Sequence, residues 1–332
     1  MPATVVVGGF FGDEGKGKII SYLALKDKPA IAVRGGVGPN AGHTFVLNGE
    51  VHKVRMLPSA LLSKETRLLI GAGVLINPEV LLNEIEQYNA HDRVFIDSQC
   101  GIIESRHIEM DNSDDLKGRI GTTGSGTGPA NADRARRTLH LAREMNEFTL
   151  YLDDVSNSIN FALDRNENVL VEGTQGTFLS LYHGTYPYVT SKDVTASSIC
   201  ADVGLGPKRV DEVLLVFKAY VTRVGVGSLE NEISKEEAKK RGWFEVATVT
   251  RRERRAAPFN FELAKKAISL NSATHLAITK LDVMFPECAH VHVYDKLSDN
   301  AKHFIEQVEK NTGLQVALIG TGEDVYDTID MR

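Results

Sequence analysis

Short runs of β-branched and aliphatic residues alternate along the chain with longer stretches in which apolar residues recur every three or four positions. The runs at 4–7, 30–33, 68–70, 93–96, 168–171, 213–217 and 275–278 lack a polar residue at every second position, so they are predicted as strands covered on both faces. Helical periodicity falls at 18–25, 78–88, 132–145, 150–163, 261–270 and 301–310. Strands that alternate with helices predict an α/β fold, a large and mainly parallel twisted sheet flanked by helices. Residues 45–55 break the pattern: Asn48-Gly49 separates two apolar runs and marks a small β-hairpin with a type I′ turn. The stretches 118–130 and 224–245 are read as long functional loops. With no internal repeat and no Pro- or Ser-rich linker, the expectation is one domain spanning 1–332.

Composition narrows the function classes. The 332 residues include 38 Lys and Arg against 44 Asp and Glu, a net charge of −6, which offers no general footprint for a nucleic acid. No stretch approaches the roughly 20 apolar residues of a membrane span, and the N-terminus lacks a basic signal-peptide start. The three cysteines, Cys100, Cys200 and Cys288, are far apart and show no CxxC spacing. A cytoplasmic protein with reduced thiols and no membrane partner is expected.

The chemistry concentrates in glycine-rich segments. Gly12-Asp13-Glu14-Gly15-Lys16-Gly17-Lys18 follows the first predicted strand and opens a helix, the context in which backbone N–H groups and a helix N-terminus cradle phosphate. Gly12-x4-Gly17-Lys18 has the spacing of a P-loop, but Ile19 replaces the Ser or Thr that would meet Mg²⁺, so Asp13 is the candidate metal ligand. A second glycine-rich segment, 35–44, follows the strand at 30–33 and carries His43, either an acid or electrostatic group or a structural hydrogen-bonder. Thr279-Lys280-Leu281-Asp282 is similar to the NKxD element that reads guanine, since a carboxylate accepts from both N1–H and the 2-amino group; a strand end with a capping acid has the same look. The cluster Arg251-Arg252-Glu253-Arg254-Arg255 is either a solvated or RNA-binding loop or a site for carboxylate and phosphate.

Together the segments 12–18, 38–44, 121–130, 171–177, 184–191, 248–255 and 279–282 resemble the adenylosuccinate synthetase family in its short, archaeal-type branch. That resemblance implies a P-loop NTPase-like fold and GTP-dependent ligation of L-aspartate to IMP through a 6-phosphoryl intermediate, with Mg²⁺. It makes Asp13 the base at purine N1 and a metal ligand beside the Gly42 carbonyl, and gives His43 the transferring phosphoryl group. Lys16, Asn40, Thr123, Gln175, Thr190 and Arg252 would hold IMP, with Arg137 donated from a second subunit of a homodimer. Thr248, Thr250, Arg252 and Arg254 would meet aspartate. GTP would lie against Gly12, Glu14, Gly15, Lys16, Gly17, Lys18, Gly42, His43, Thr44 and Arg254, with its base on Lys280, Asp282, Gly320, Thr321 and Gly322.

The chain departs from the family pattern at three places. Phe10-Phe11 replaces Gln-Trp, Arg251 replaces Gly, and Ala257-Pro258 replaces Gly-Trp. Phe10 is expected near the purine site. Two other functions remain open at this point: a viral-type branch that adds aspartate to dGMP, and a guanine-nucleotide switch without ligase chemistry.

Overall fold

The computed structural model describes residues 3–246 and 252–332. Ten strands form one sheet: β1 Ala3–Gly8, β2 Ile31–Arg34, β3 Arg67–Ile70, β4 Val94–Asp97, β5 Leu152–Asp153, β6 Val169–Glu172, β7 Glu212–Lys218, β8 His275–Thr279, β9 Val316–Gly320 and β10 Thr328–Asp330. Their order is β10-β9-β8-β7-β1-β6-β2-β3-β4-β5. Every neighbouring pair is parallel except β9 and β10. Seven of the ten strands lie on the predicted apolar runs, and the remaining three, β5, β9 and β10, are at or near the sheet edges.

Burial on both faces explains the unbroken apolar runs. In β1, Val5 and Val7 pack into one large cluster with Ile159, Ile199 and Phe217, while Val6 packs into another with Ile19, Ile20 and Leu68. Both layers exclude water from the sheet, which favours burial by roughly 1.5–3 kcal/mol for each large aliphatic side chain. Among the described residues no helix is long and apolar enough to cross a membrane. The three cysteines are buried and unpaired.

The expected hairpin forms from His43–Leu47 and Glu50–Val54. Asn48 and Gly49 both take positive φ, 52° and 80°, as a type I′ turn requires. Two contacts fix its position. The buried Glu84 carboxylate accepts the backbone N–H groups of Arg55, Met56 and Leu57 at 2.6, 3.0 and 2.9 Å. On the other side the Val46 carbonyl accepts the Val325 N–H at 2.7 Å.

Three sequence expectations need correction. The helix expected at 132–145 is Thr127–Arg136. It stops because Arg137 turns left-handed at φ 65°, its N–H reaching the Arg134 carbonyl while the Thr138 N–H reaches that of Asp133. Leu139 and Ala142 are apolar because they rejoin the core beyond that stop. The helix expected at 150–163 starts only at Val155, where Asp154 caps the Asn157 N–H. Both long loops are shorter than expected, since Asp114–Ile120 and the start of Thr127–Arg136 occupy much of 118–130, and Lys235–Lys240 lies inside 224–245.

Candidate active site

Strand β1 sits at the point where the connections diverge, towards β2 on one side and β7 on the other. In a parallel sheet the crevice beyond the carboxyl ends of such strands collects the loops that bind ligands. Here the loops after β1, β2 and β6 meet there.

The loop after β1 is braced from within. The buried Glu14 carboxylate accepts the N–H groups of Phe10 and Gly12 at 3.0 and 2.8 Å and pairs with Lys16 at 2.9 Å. Gly12, Asp13 and Gly15 adopt positive φ (85°, 67° and 81°), so the backbone wraps around this carboxylate. Glu14 therefore organises the loop rather than offering its carboxylate to a ligand. Lys16 also donates to the Gln175 carbonyl, tying the loop to the turn after β6.

A cavity of about 650 Å³ opens beside it. Gly12, Asp13, Gly15, Lys16 and Gly17 line one wall, and Asn40, Gly42, His43 and Thr44 another. Thr123, Gln175, Thr190, Arg252 and Arg254 complete it. Asn40 donates to the Thr190 hydroxyl at 3.2 Å, while its own buried side-chain oxygen has no partner among the described residues. Arg252 reaches the carbonyls of Gly121 and Thr122, each at 2.6 Å. Thr248, Thr250 and Arg251 lie outside the described residues.

His43 is held by groups that the sequence reading did not single out. Glu172, at the end of β6 and fully buried, contacts His43 Nδ1 and Arg34 Nη1 and accepts from the Ser59 hydroxyl and N–H, both at 2.7 Å. Nδ1 faces this carboxylate, so Nε2 is the ring nitrogen left for a ligand. Burial, aided by the Arg34 charge, lowers the His43 pKa to about 4 against the pull of Glu172. Burial would raise the Glu172 pKa, but His43 and Arg34 bring it down to about 2. At neutral pH the imidazole is uncharged, beside a carboxylate able to stabilise it as a cation when negative charge arrives on the Nε2 side.

Asp13 belongs to a second ionic group. Lys218, at the end of β7, lies 3.1 Å from Asp13 and 2.9 Å from Glu245, and Arg254 pairs with both carboxylates. Burial raises the Asp13 pKa, and the two cations oppose that shift. Among the described residues the buried Arg254 Nε has no partner.

The guanine candidates form a separate cluster next to this cavity. The Thr279 hydroxyl donates to the Glu14 carbonyl at 2.7 Å, Lys280 turns left-handed at φ 60°, and one buried Asp282 carboxylate oxygen has no partner among the described residues. Lys18 differs from expectation: its ammonium is committed to the carbonyls of Gly322 and Asp327, both at 2.7 Å, and burial lowers its pKa to about 8. It shapes the loop of Gly320, Thr321 and Gly322. The Thr321 hydroxyl is spent on the Val291 carbonyl at 2.8 Å. Arg137 is exposed and does not line the cavity of its own chain.

Phe10 is also a correction. It is buried away from the cavity against Phe217 and Phe259, with ring centroids 4.6 and 5.2 Å apart. Phe11 is the residue at the cavity wall. The missed residues left a trace in the sequence: β7 is an apolar strand that ends on a lysine, and Glu172 ends an apolar strand within 171–177.

The His43 geometry makes a testable prediction. Glu172→Gln removes the charge behind the imidazole while keeping its shape, and turnover is expected to fall roughly a hundredfold with smaller changes in substrate KM. Steady-state kinetics check this, and an unchanged kcat rules out His43 support by Glu172.

Comparison with known proteins agrees with the resemblance. The family model for adenylosuccinate synthetase matches residues 5–150 and 138–288. An adenylosuccinate synthetase of Methanocaldococcus jannaschii is 55% identical, covering 100% of this chain and 97% of the relative. One of Pyrococcus horikoshii is 54% identical, covering 100% and 99%. In structure, the fully ligated adenylosuccinate synthetase of Plasmodium falciparum superposes with a TM-score of 0.92 at 24% identity, over 99% of each chain, which supports the fold. A cyanophage succinoaminodeoxyadenylate synthetase bound to dGMP and dATP shares that fold with a TM-score of 0.82, also at 24% identity, over 99% of this chain and 95% of its own. Matched from end to end at more than half identity, the chain belongs to the adenylosuccinate synthetase family.

Proposed function

We propose that this chain joins L-aspartate to C6 of IMP, consuming GTP and releasing adenylosuccinate, GDP and phosphate. The observation that carries the reading is one cavity containing the Asp13 carboxylate, the His43 imidazole and the Arg252 and Arg254 guanidinium groups beside a phosphate-binding loop. IMP offers an amide-like C6–O6 whose oxygen leaves poorly until it is phosphorylated.

Asp13 takes the proton from N1, which places negative charge on O6. Burial raises its proton affinity, as suits a base. O6 attacks the γ-phosphorus, the bond to the GDP oxygen breaks, and the N–H groups of the loop with Lys16 and His43 stabilise the charge that moves. The amine of aspartate then attacks C6 and phosphate departs. Arg252 and Arg254 fix the approach of that amine through carboxylate contacts. Asp13 and Gly42 offer the hard oxygen donors that suit Mg²⁺, which takes one or two protein oxygens and completes its shell with phosphate and water. When bound, the metal neutralises phosphate charge. Asn40, Thr123, Gln175 and Thr190 hold IMP, Thr44 lies on the GTP side, and the reading further assigns Thr248 and Thr250 to aspartate. The orphaned oxygen of Asp282 supports guanine as the base, because N1–H and the 2-amino group are two donors for one carboxylate. The protein acts in the cytoplasm as a homodimer, with the exposed Arg137 reaching the IMP phosphate of the neighbouring subunit.

The deciding experiment offers IMP, dGMP and GMP in turn with aspartate and GTP, and identifies the nucleotide product by mass. Ligation to IMP is expected, with phosphate release dependent on both IMP and aspartate. Product from dGMP alone would place the chain with the viral-type activity, and phosphate release without either co-substrate would make it a switch. Asp282→Asn is expected to weaken GTP and favour XTP, since xanthine carries a carbonyl where guanine carries its amino donor; an unaltered preference removes Asp282 as the guanine reader. Mixing inactive Asp13→Ala and Arg137→Leu proteins under verified subunit exchange should restore roughly a quarter of wild-type activity, because half the dimers are mixed and one site in each is intact. No recovery excludes action of Arg137 across subunits.

A further inference from the structure

Among the described residues, the group around Asp13 contains two side chains that the proposed reaction does not use. Lys218 is 2% exposed, and its ammonium has four oxygen partners: Asp13 at 3.1 Å, both Glu245 oxygens at 3.1 and 2.9 Å, and the Thr222 hydroxyl at 2.9 Å. Glu245 in turn accepts from the Tyr220 hydroxyl and from Arg254 Nη1 at 2.5 Å. Tyr220 is itself immobilised, stacked on Trp243 with ring centroids 4.8 Å apart and planes 4° from parallel.

The backbone reinforces this arrangement. The Arg254 N–H donates to the Glu245 carbonyl at 2.9 Å, and Val246 pairs with Glu253 in an antiparallel bridge. Arg254 also faces Val224 across the two-stranded ladder formed by Val221–Val224 and Arg254–Ala257. Glu245 and Arg254 are thus joined by both main chain and side chain, and Lys218 anchors the pair to the end of β7.

We infer that Lys218 and Glu245 are positioning residues for the ligation: Glu245 aims Arg254 at the incoming aspartate, and Lys218 fixes Glu245 and Asp13 relative to one another. The inference rests on the proposed roles of Asp13 and Arg254. Its physical basis is the immobility of Glu245. A carboxylate with a buried lysine, a stacked tyrosine and a cross-strand arginine as partners keeps its place when ligands arrive. Arg254 can then exchange its contact with Asp13 for a substrate carboxylate without leaving Glu245, and its unpartnered Nε is a donor still to be satisfied. Asp13 is released towards the purine in the same exchange, with Lys218 still beside it.

The test uses Glu245→Gln, which keeps the side-chain shape and removes the charge. Aspartate KM, and aspartate binding measured by calorimetry with IMP and a non-hydrolysable GTP analogue present, should weaken roughly tenfold while the KM values of IMP and GTP stay within about twofold. Glu245→Asp should restore part of the loss. Lys218→Met, nearly equal in volume, should show the same aspartate defect and an added loss of kcat. If Arg254→Leu weakens aspartate and Glu245→Gln does not, this inference falls and the proposed function stands. If Arg254→Leu leaves aspartate saturation unchanged, the assignment of Arg254 itself falls. A Glu245→Gln protein that weakens all three substrates to the same degree would make Glu245 a general brace of the fold, which also overturns the inference.

Discussion

Charge buried at the carboxyl ends of the strands has to be matched where it lies, and that requirement organises the site. Glu14 and Lys16 neutralise one another inside the phosphate loop, Glu172 matches Arg34 beside His43, and Lys218 with Arg254 matches Asp13 and Glu245. Arg34, Glu172, Glu14 and Lys218 are each at most 2% exposed. Stripping one partner from such a pair leaves an unpaired buried charge at a cost of about 3–5 kcal/mol, so each group holds its strand ends in one arrangement. Asp13 and His43 inherit their places from these groups. Asp13 faces the cavity because Glu14 turns the loop inward around itself, and His43 presents Nε2 because Glu172 occupies the other face of the ring.

The same logic connects the cavity with the cluster around Lys280 and Asp282. The Thr279 hydroxyl ties the candidate guanine segment to the glycine-rich loop after β1 through the Glu14 carbonyl. Lys18 leaves the first turn of the helix Lys16–Asp27 to hold the Gly322 and Asp327 carbonyls, and Val325 hydrogen-bonds the hairpin that begins at His43. The segment at 279–282, the loop after β1 and the hairpin that carries His43 are therefore tied together by hydrogen bonds and the helix Lys16–Asp27.

The sheet was legible in the sequence because a parallel strand buried on both faces writes itself as a continuous apolar run. The hairpin was legible because only a few residue pairs tolerate two successive positive φ angles. The end of the helix at Arg136 was not, since an arginine in the left-handed region carries no sequence mark comparable to glycine, and the apolar residues beyond it mimic continued periodicity. Among site residues, those in glycine-rich loops announced themselves through spacing. Glu172, Lys218 and Glu245 did not, because a buried counter-ion is recognisable only once its partner is known to lie beside it, and Arg34 and Glu172 are 138 residues apart. Lys18 misled for the converse reason. Its spacing fits a phosphate ligand, while in space its ammonium is held by two backbone carbonyls.

The departures from the family pattern can be weighed in the same physical terms. Phe10, Phe217 and Phe259 form a closed aromatic triangle with centroids 4.6 to 5.6 Å apart, and Phe259 directly follows Ala257-Pro258. Phe10 thus packs against the residue that follows the Ala257-Pro258 departure, in a buried cluster whose rings do not line the cavity. Phe11 has a different part. The Arg223 guanidinium lies 4.6 Å from its ring centroid and donates to the Thr185 hydroxyl at 2.7 Å and the Tyr188 carbonyl at 3.1 Å. Those residues belong to the segment that ends on Thr190, whose hydroxyl accepts from Asn40. A flat aromatic face is what Arg223 needs at position 11, and phenylalanine supplies one as tryptophan does. The substitution therefore preserves the platform beneath the segment that carries Thr190 even though the residue at the cavity wall has changed.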